Sequence, residues 1–333
     1  DVCSSDLAFV QDSTVSVTRN LQLSATATQT VDATVVAASA AFAGGANGLG
    51  LSGAGAKTVS YVTMYVKAYL DGDGASGISA GSISLTASDT STIDALTGAI
   101  SIAGSYGGNG ASLSIAVALA LNVVGNDVEA FVANADQGVT TTTGDLTLTA
   151  TEQARIRSTT AAAAIAASVS SNAASLSGAG ADATNVVFTK SNAYISSSTI
   201  RALGAVTLTS TNSGPALFNL TGLTPTNLND GASATLTALR TQFASNGSDL
   251  DSGTLALSTL KTDQAWKLVD ADRVIYFITN VGGTLVVSRP VIIASVQTAA
   301  ISASLGANGV GMSIGASISQ NLIGYSQIGR AHV

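Results

Sequence analysis

The sequence predicts an all-β chain: a parallel β-solenoid of ~62-residue repeats, interrupted by one small α+β insertion. Three observations carry this expectation. Leu23-Ser24-Ala25-Thr26, Leu85-Thr86-Ala87-Ser88, Leu148-Thr149-Ala150-Thr151 and Leu208-Thr209-Ser210-Thr211 restate one phrase at steps of 62, 63 and 60 residues. A second phrase, beginning at Asn47, Asn109, Asn172 and Asn308, keeps the same steps until the last, which is 136 residues long. Between these phrases small and bulky residues alternate with a period of two, as in Ser112 to Leu121, and that period belongs to strands.

One repeat, taken from the third copy, reads as short strands separated by Gly or Asn corners. Val128–Val132 alternates and is followed by a turn at Gly138. Asp145–Thr151 alternates again, with Leu146, Leu148 and Ala150 inward and Thr147, Thr149 and Thr151 outward. Arg155-Ile156-Arg157 is a third strand with both arginines on the wet side. Each rung of the solenoid is expected to take about 20 residues, three rungs to a repeat. The Ala-rich run Ala161–Ala167 has high helix propensity. Its equivalents contain Gly44, Gly45, Gly104 and Gly107, so strand or tight coil is expected in every copy. In Ser112–Leu121 the bulky residues Leu113, Ile115, Val117, Leu119 and Leu121 share one sheet face. Asn122, Asn185 and Asn321 occupy one place in three copies and are expected to be structural corner residues, satisfying backbone groups as stacked asparagines can.

The solenoid is expected over residues 8–212 and again over 291–327. Between them, residues 213–290 have different chemistry and form the insertion. All three prolines and the single tryptophan fall here. Asp230 is placed to cap a helix carrying Leu236, Leu239 and Phe243 on one face, with Asn246-Gly247 ending it. Strands are expected at 265–269, 273–278 and 284–287. Insertions in repeat proteins often form the binding face, so this module is the expected contact surface, with Trp266, Tyr276 and Arg273 as the ligand-contact candidates.

Both ends read as translated sequencing adapter. Asp1–Asp6 can be encoded by GAC GTG TGC TCT TCC GAT, whose reverse complement reads Ile-Gly-Arg-Ala-His-Val, the sequence of Ile328–Val333. Residues 1–7 and 328–333 are therefore set aside, and the chain is expected to be a piece of a longer protein. Cys3 and His332 are the only cysteine and histidine. Without them, disulfides, thiol nucleophiles, zinc sites and histidine-based triads leave consideration.

Composition narrows the classes further. Charged residues make up 10% of the chain, against about 25% in ordinary domains. The net charge of -7 without basic clusters argues against a nucleic-acid partner. Ala95–Gly125 and Ser158–Ala181 carry no charge and are long enough to cross a bilayer as helices. Their two-residue period favours strand, and this segment is not expected to span a membrane.

No catalytic, metal or cofactor residues are expected. Asp71-Gly72-Asp73-Gly74 opens like a calcium loop, but Ala75, Ser76 and Ser82 stand where such a loop needs a ligand, a glycine and a glutamate. A surface turn explains it, and calcium in surface turns is the one cation the sequence leaves open. Glu129, Glu152, Arg155 and Arg157 are too scattered to line a polysaccharide-cleaving groove. An outward threonine set offers an ice-binding alternative, weakened because the pattern recurs once per three-rung repeat and the equivalent places include Ser24 and Ser88.

The phrases Leu146–Thr151, Asn172–Ala181 and Asn308–Ser317, broken by an α+β module, resemble segments of giant repetitive bacterial surface proteins of the filamentous-haemagglutinin type. That resemblance implies a secreted or cell-surface adhesin stalk of Gram-negative origin. It would serve attachment or biofilm cohesion, meeting a host or environmental surface, polysaccharide or neighbouring adhesin copies. The alternatives are a polysaccharide-degrading β-helix enzyme and an ice-binding solenoid.

Overall fold

The computed structural model describes residues 2–212, 216–246, 250, 254–261, 263–269, 275–288 and 291–331. It divides into two compact units. The first comprises residues 1–152, 156–212 and 292–333, and the second residues 153–155 and 213–291.

The first unit is built from β1 (Val2–Gln11), β2 (Val15–Ser16), β3 (Leu21–Ala27), β4 (Thr30–Asp71), β5 (Ile78–Ala80), β6 (Ile83–Asp89) and β7 (Thr92–Val124). It continues through β8 (Asp127–Ala133), β9 (Val139–Thr141), β10 (Leu146–Glu152), β11 (Arg155–Ser196), β12 (Ile200–Ala202) and β13 (Val206–Asn212). Three parallel sheets result, each taking its strands from successive repeats. The orders are β3-β6-β10-β13, β2-β5-β9-β12 and β1-β4-β7-β11, with β8 pairing both β4 and β11. The sheets are open at their first and last strands.

The registers correct the expected rung. Thr30 pairs with Thr92, Leu85 with Leu148 and Leu148 with Leu208, so neighbouring strands lie a whole repeat apart. A repeat therefore supplies one strand to each sheet, not the three ~20-residue turns expected. The chain spends the extra length on a long excursion within each repeat. β4 is one continuous ladder of 42 residues, yet Ser39 Oγ lies 2.7 Å from Ser52 Oγ thirteen residues on. The strand thus runs out and folds back on itself as two legs, roughly Thr30–Gly45 and Asn47–Val62.

The residues decide what each part of the rung buries. Between the legs lie only small side chains: Ala99, Ala116, Ala118, Ala162, Ala164 and Ala179 form one buried cluster. Hydroxyls join it, with Ser114 Oγ 2.9 Å from Ser101 Oγ and Thr97 Oγ1 2.6 Å from Thr58 Oγ1. Two sheets whose facing side chains hold one or two heavy atoms approach closely and exclude anything larger. The bulky partners in the alternation consequently face outward, and Ile115, Val117 and Leu119 are exposed. Beyond the legs the usual sense returns. Val62, Met64, Val66 and Leu70 are enclosed opposite Ile83 and Leu85, and Leu146, Leu148 and Ala150 are buried with the threonines between them outward.

Turns are set by glycine where the backbone demands it. Gly45 and Gly107 take positive φ at the far end of the legs, and a Cβ on Gly107 would sit 1.7 Å from the Gly45 carbonyl oxygen. The Asp71–Gly74 segment is a turn, with φ of 76° at Gly72 and 60° at Gly74. Asp71 accepts from Asn134 Nδ2 at 2.7 Å, and Asp73 accepts from the Gly138 amide, so both carboxylates serve links between repeats.

The second unit contains β14 (Ala216–Leu220), α1 (Pro225–Asp230), α2 (Ser233–Ser245), β15 (Ala256–Lys261), β16 (Ala265–Val269), β17 (Ile275–Val281) and β18 (Thr284–Ser288). Its five-stranded antiparallel sheet has the order β14-β18-β17-β16-β15. The helix expected after Asp230 is α2, but Asp230 does not cap it. That residue ends α1, a short helix opened by a Thr224/Asn227 capping box that the pattern did not reveal. Asn246 caps the C-terminus of α2, while Gly247 lies outside the described residues. Two strands beyond the three expected, β14 and β15, flank the sheet.

The chain then re-enters the first unit through β19 (Ile292–Leu305) and β20 (Asn308–Ala331), both parallel to β11. Val2–Asp6 and Ile328–Ala331, the ends set aside on sequence grounds, also lie in ladders. Backbone pairing requires no particular side chain, so it carries no information on their origin. No described helix is long and apolar enough to cross a membrane.

Candidate functional site

Two of the three ligand-contact residues expected in the inserted module, Trp266 and Tyr276, are not available for contact. Trp266 is fully buried and Tyr276 is 2% exposed, within a core that includes Leu228, Leu239, Phe243 and Ile278. Phe243 holds Phe218 and Tyr276 edge-on, each at 4.8 Å between centroids. The indole Nε1 donates to Asn229 Oδ1 at 2.8 Å, which satisfies the one polar atom that burial would otherwise orphan. This corrects the expectation: strand alternation places both rings on the face that α2 covers. Arg273 lies outside the described residues.

Asn122, Asn185 and Asn321 do come together, along one column of the parallel sheet. Asn122 Nδ2 donates to Asn185 Oδ1 at 2.8 Å, and Asn185 Nδ2 to Asn321 Oδ1 at 3.0 Å. Asn122 and Asn185 are fully buried. They bond to one another rather than to backbone groups. A second such ladder stands at the far end of the legs, where Asn308 donates to Asn172, Asn172 to Asn109 and Asn109 to Asn47 at 2.8–2.9 Å.

The strongest electrostatic perturbation lies inside the wide part of the rung. Asp89 and Glu152 are register partners, both fully buried. Asn126 Nδ2 donates to Asp89 Oδ2 at 2.7 Å and to Glu152 Oε1 at 3.3 Å, and Ser91 Oγ donates to Asp89 Oδ1 at 2.9 Å. Asn126 Oδ1 in turn accepts from the Met64 amide at 3.0 Å. Burial, followed by the neighbouring Asp89 charge, pushes the Glu152 carboxyl up to about 9, and burial also raises Asp89. Two adjacent carboxyls in a dry interior cannot both ionise, so at neutral pH Glu152 keeps its proton. The cluster is legible in hindsight from parity. Asp89 follows Ile83, Leu85 and Ala87 at the next inward position, and Glu152 follows Leu146, Leu148 and Ala150.

The outer face of β1, β4, β8 and β11 carries a different set. Phe9, Tyr69, Phe131 and Tyr194 stack face to face on successive repeats, with centroids 5.1, 4.8 and 4.9 Å apart and planes within 7°. Each ring's faces are taken by its neighbours, which leaves mainly edges to solvent. Beside the stack, Lys67 lies 2.8 Å from Glu129 and 3.5 Å from Asp127. Lys190 pairs with Glu129 as well and sits 3.4 Å from Asp127. Burial opposes the charged form of Glu129, but the two ammonium groups outweigh it and hold the carboxyl below its usual range. Both lysines are raised, because Glu129 outweighs their own desolvation. Tyr194 is pushed up to about 12 by burial and the Glu129 charge.

A third surface is a hydroxyl array. Because each repeat is one rung, the outward residues of β3, β6, β10 and β13 align in columns. These are Ser24, Thr86, Thr149 and Thr209, and beside them Thr26, Ser88, Thr151 and Thr211. Among the described residues no group of three or more His, Cys, Asp or Glu side chains is arranged to hold a metal ion. The grooves on the first unit are shallow and open. One is lined by Asp32, Asp94 and Arg157, and another is mainly apolar, around Ile115 and Gly178 with Ser177. No protein-family model, curated protein or solved structure matches this chain.

Proposed function

We propose that the chain is a structural stalk segment: a parallel β-solenoid from a secreted or cell-surface adhesin of the filamentous-haemagglutinin type, with attachment through the inserted module. The observation that carries this reading is the register. Every ladder in the first unit steps by one repeat, so rungs of one plan can be added indefinitely without changing the interior. The residues held in that interior support it too, since asparagine columns and alanine legs serve stacking and present no reactive group to solvent. Among the described residues the acids that burial pushes up, Asp89 and Glu152, are enclosed, whereas a polysaccharide-cleaving site needs two carboxyls flanking an open sugar subsite. Incubation of the purified chain with acidic and neutral polysaccharides tests this. Retention without new reducing or unsaturated ends is expected, and release of such ends overturns the stalk reading.

The hydroxyl array favours a second reading. Its spacing is ~4.8 Å between rungs and ~6.6 Å along a strand, and it recurs on every rung, which removes the objection raised by a three-rung repeat. A regular, rigid hydroxyl lattice orders water and takes ice as its ligand. Inhibition of ice recrystallisation, lost in Thr149→Lys, is the signature of that activity. Its absence in the unaltered chain leaves the array as ordinary outward strand residues.

A further inference from the structure

The returning leg of each repeat carries an apolar outer face whose relief alternates from rung to rung. Along one column stand Gly53, Ile115, Gly178 and Ile314, and two residues on stand Gly55, Val117, Gly180 and Ala316. A Cβ added to Gly53, Gly55, Gly178 or Gly180 would meet nothing within 4 Å, so these positions are open troughs one side chain deep. Ile115, Val117 and Ile314 are 47%, 39% and 60% exposed between them. In the Gly53 column the first and third repeats are troughs and the second and fourth are ridges, while in the Gly55 column Val117 is the one ridge and Ala316 is small. Contiguous apolar surface of this extent on a soluble chain marks an interaction site.

We propose that this face pairs with the same face of a second copy, about a two-fold axis parallel to the strands and lying between the second and third repeats. Such an axis reverses the order of the rungs and keeps each residue level with its register partners. Ile115 and Val117 of one copy then enter the trough at Gly178 and Gly180 of the other, and Ile314 enters the trough at Gly53. An axis along the stacking direction would instead set ridge on ridge. Two-fold pairing of one patch with itself is the commonest closed arrangement of protein copies.

Charge points to the same axis. Lys57 and Asp182 share the next outward column, two rungs apart in one chain. Among the described residues Lys57 has no ion pair, and Asp182 Oδ1 is buried without a hydrogen-bond partner. The two-fold brings Lys57 of one copy to within one rung of Asp182 of the other, twice over. Area is sufficient as well. The leg from Leu49 to Tyr61 over four rungs covers ~40 Å by ~19 Å, or ~750 Å² per copy and ~1,500 Å² in total, the size of a standard specific interface. The pairing rests on this surface alone and does not depend on the stalk reading.

Sedimentation of the full chain over a concentration series tests it. A reversible dimer is expected. Gly178→Leu fills the trough and weakens the dimer at least tenfold while far-ultraviolet circular dichroism stays unchanged. Should that variant misfold, the charge swap decides. Lys57→Asp and Asp182→Lys each weaken the dimer severalfold, and the double variant regains most of the loss. For the axis, Gly53→Cys and Ile314→Cys chains, each with Cys3→Ser, are treated with a short bis-maleimide. The axis sets Gly53 of one copy opposite Ile314 of the other and holds each three rungs, ~14 Å, from its own equivalent, so cross-linking in the mixture and in neither chain alone is expected. A monomer at all concentrations, cross-linking of Ile314→Cys with itself, or monomeric capture by lipid vesicles in place of dimerisation overturns the proposal. Each of these outcomes leaves the polysaccharide test of the stalk reading standing.

Discussion

Glu152 shows how one buried side chain ties the fold to pH. Its carboxyl titrates near 9 in the folded chain and near the ordinary value of ~4.3 once unfolded. Between those limits the folded state holds a proton that the unfolded state has released, so stability falls as pH rises through that window. Glu152→Gln keeps the shape and removes the titration. It is expected to stabilise the chain by at least about 1 kcal/mol at pH 8, since one pKa unit is worth ~1.4 kcal/mol, and to give a shallower pH profile in urea melts. An unchanged profile means that Glu152 ionises freely in the folded state. Asn185 makes the complementary case. It accepts from Asn122 and donates to Asn321 inside the sheet. Asn185→Ala leaves the buried Asn122 amide without its acceptor, while the exposed Asn321 turns to water, at a cost of about 1–3 kcal/mol. A loss below about 0.5 kcal/mol by chemical denaturation would mean the column contributes nothing.

The folded-back leg is the element that gives the first unit its character, and its spacing depends on alanine and serine. Ala118 is fully buried facing the other leg. Ala118→Leu has nowhere to go, and overpacking of this kind costs about 1–3 kcal/mol or more. The outward change Leu119→Ala is expected to cost less than about 1 kcal/mol in the monomer, because Leu119 is 39% exposed. Equal losses for the two in thermal melts would overturn the assignment of faces. This element also marks where the sequence stopped being legible. Alternation told which residues share a face, and for Leu146, Leu148 and Ala150 the apolar face is the inner one. In the legs the same alternation is inverted, and period alone carries no sign. Neither does a period of about 62 distinguish one long rung from three short ones; contacts such as Ser39 to Ser52 distinguish them, and those are set by chain reversal at Gly45. The acid pair was readable from parity. The ring burial of Trp266 and Tyr276 depended on α2 covering one side of the inserted sheet.

At the scale of the whole molecule, the insertion interrupts the chain without interrupting the ladder. Asn212 is the register partner of Glu152, and Ile292 is the partner of Ile156. In the third repeat only Gln153, Ala154 and Arg155 separate those two positions, whereas in the fourth residues 213–291 do. The ladder step of 60 residues before the interruption and 136 after it thus reflects material added at a single connection. Loops and insertions tolerate length because closing a longer loop costs only slowly more entropy. Replacing residues 213–291 by Gln-Ala-Arg should therefore leave a continuous fourth rung. The expected product has the strand signature of the parent in circular dichroism and a thermal midpoint within a few degrees of it. It fails to attach to any surface the intact chain attaches to. Loss of the strand signature would mean the second unit is needed to build the first. Retained attachment would move the contact surface off the module and onto the repeats, where the hydroxyl array and the aromatic column are the exposed regularities.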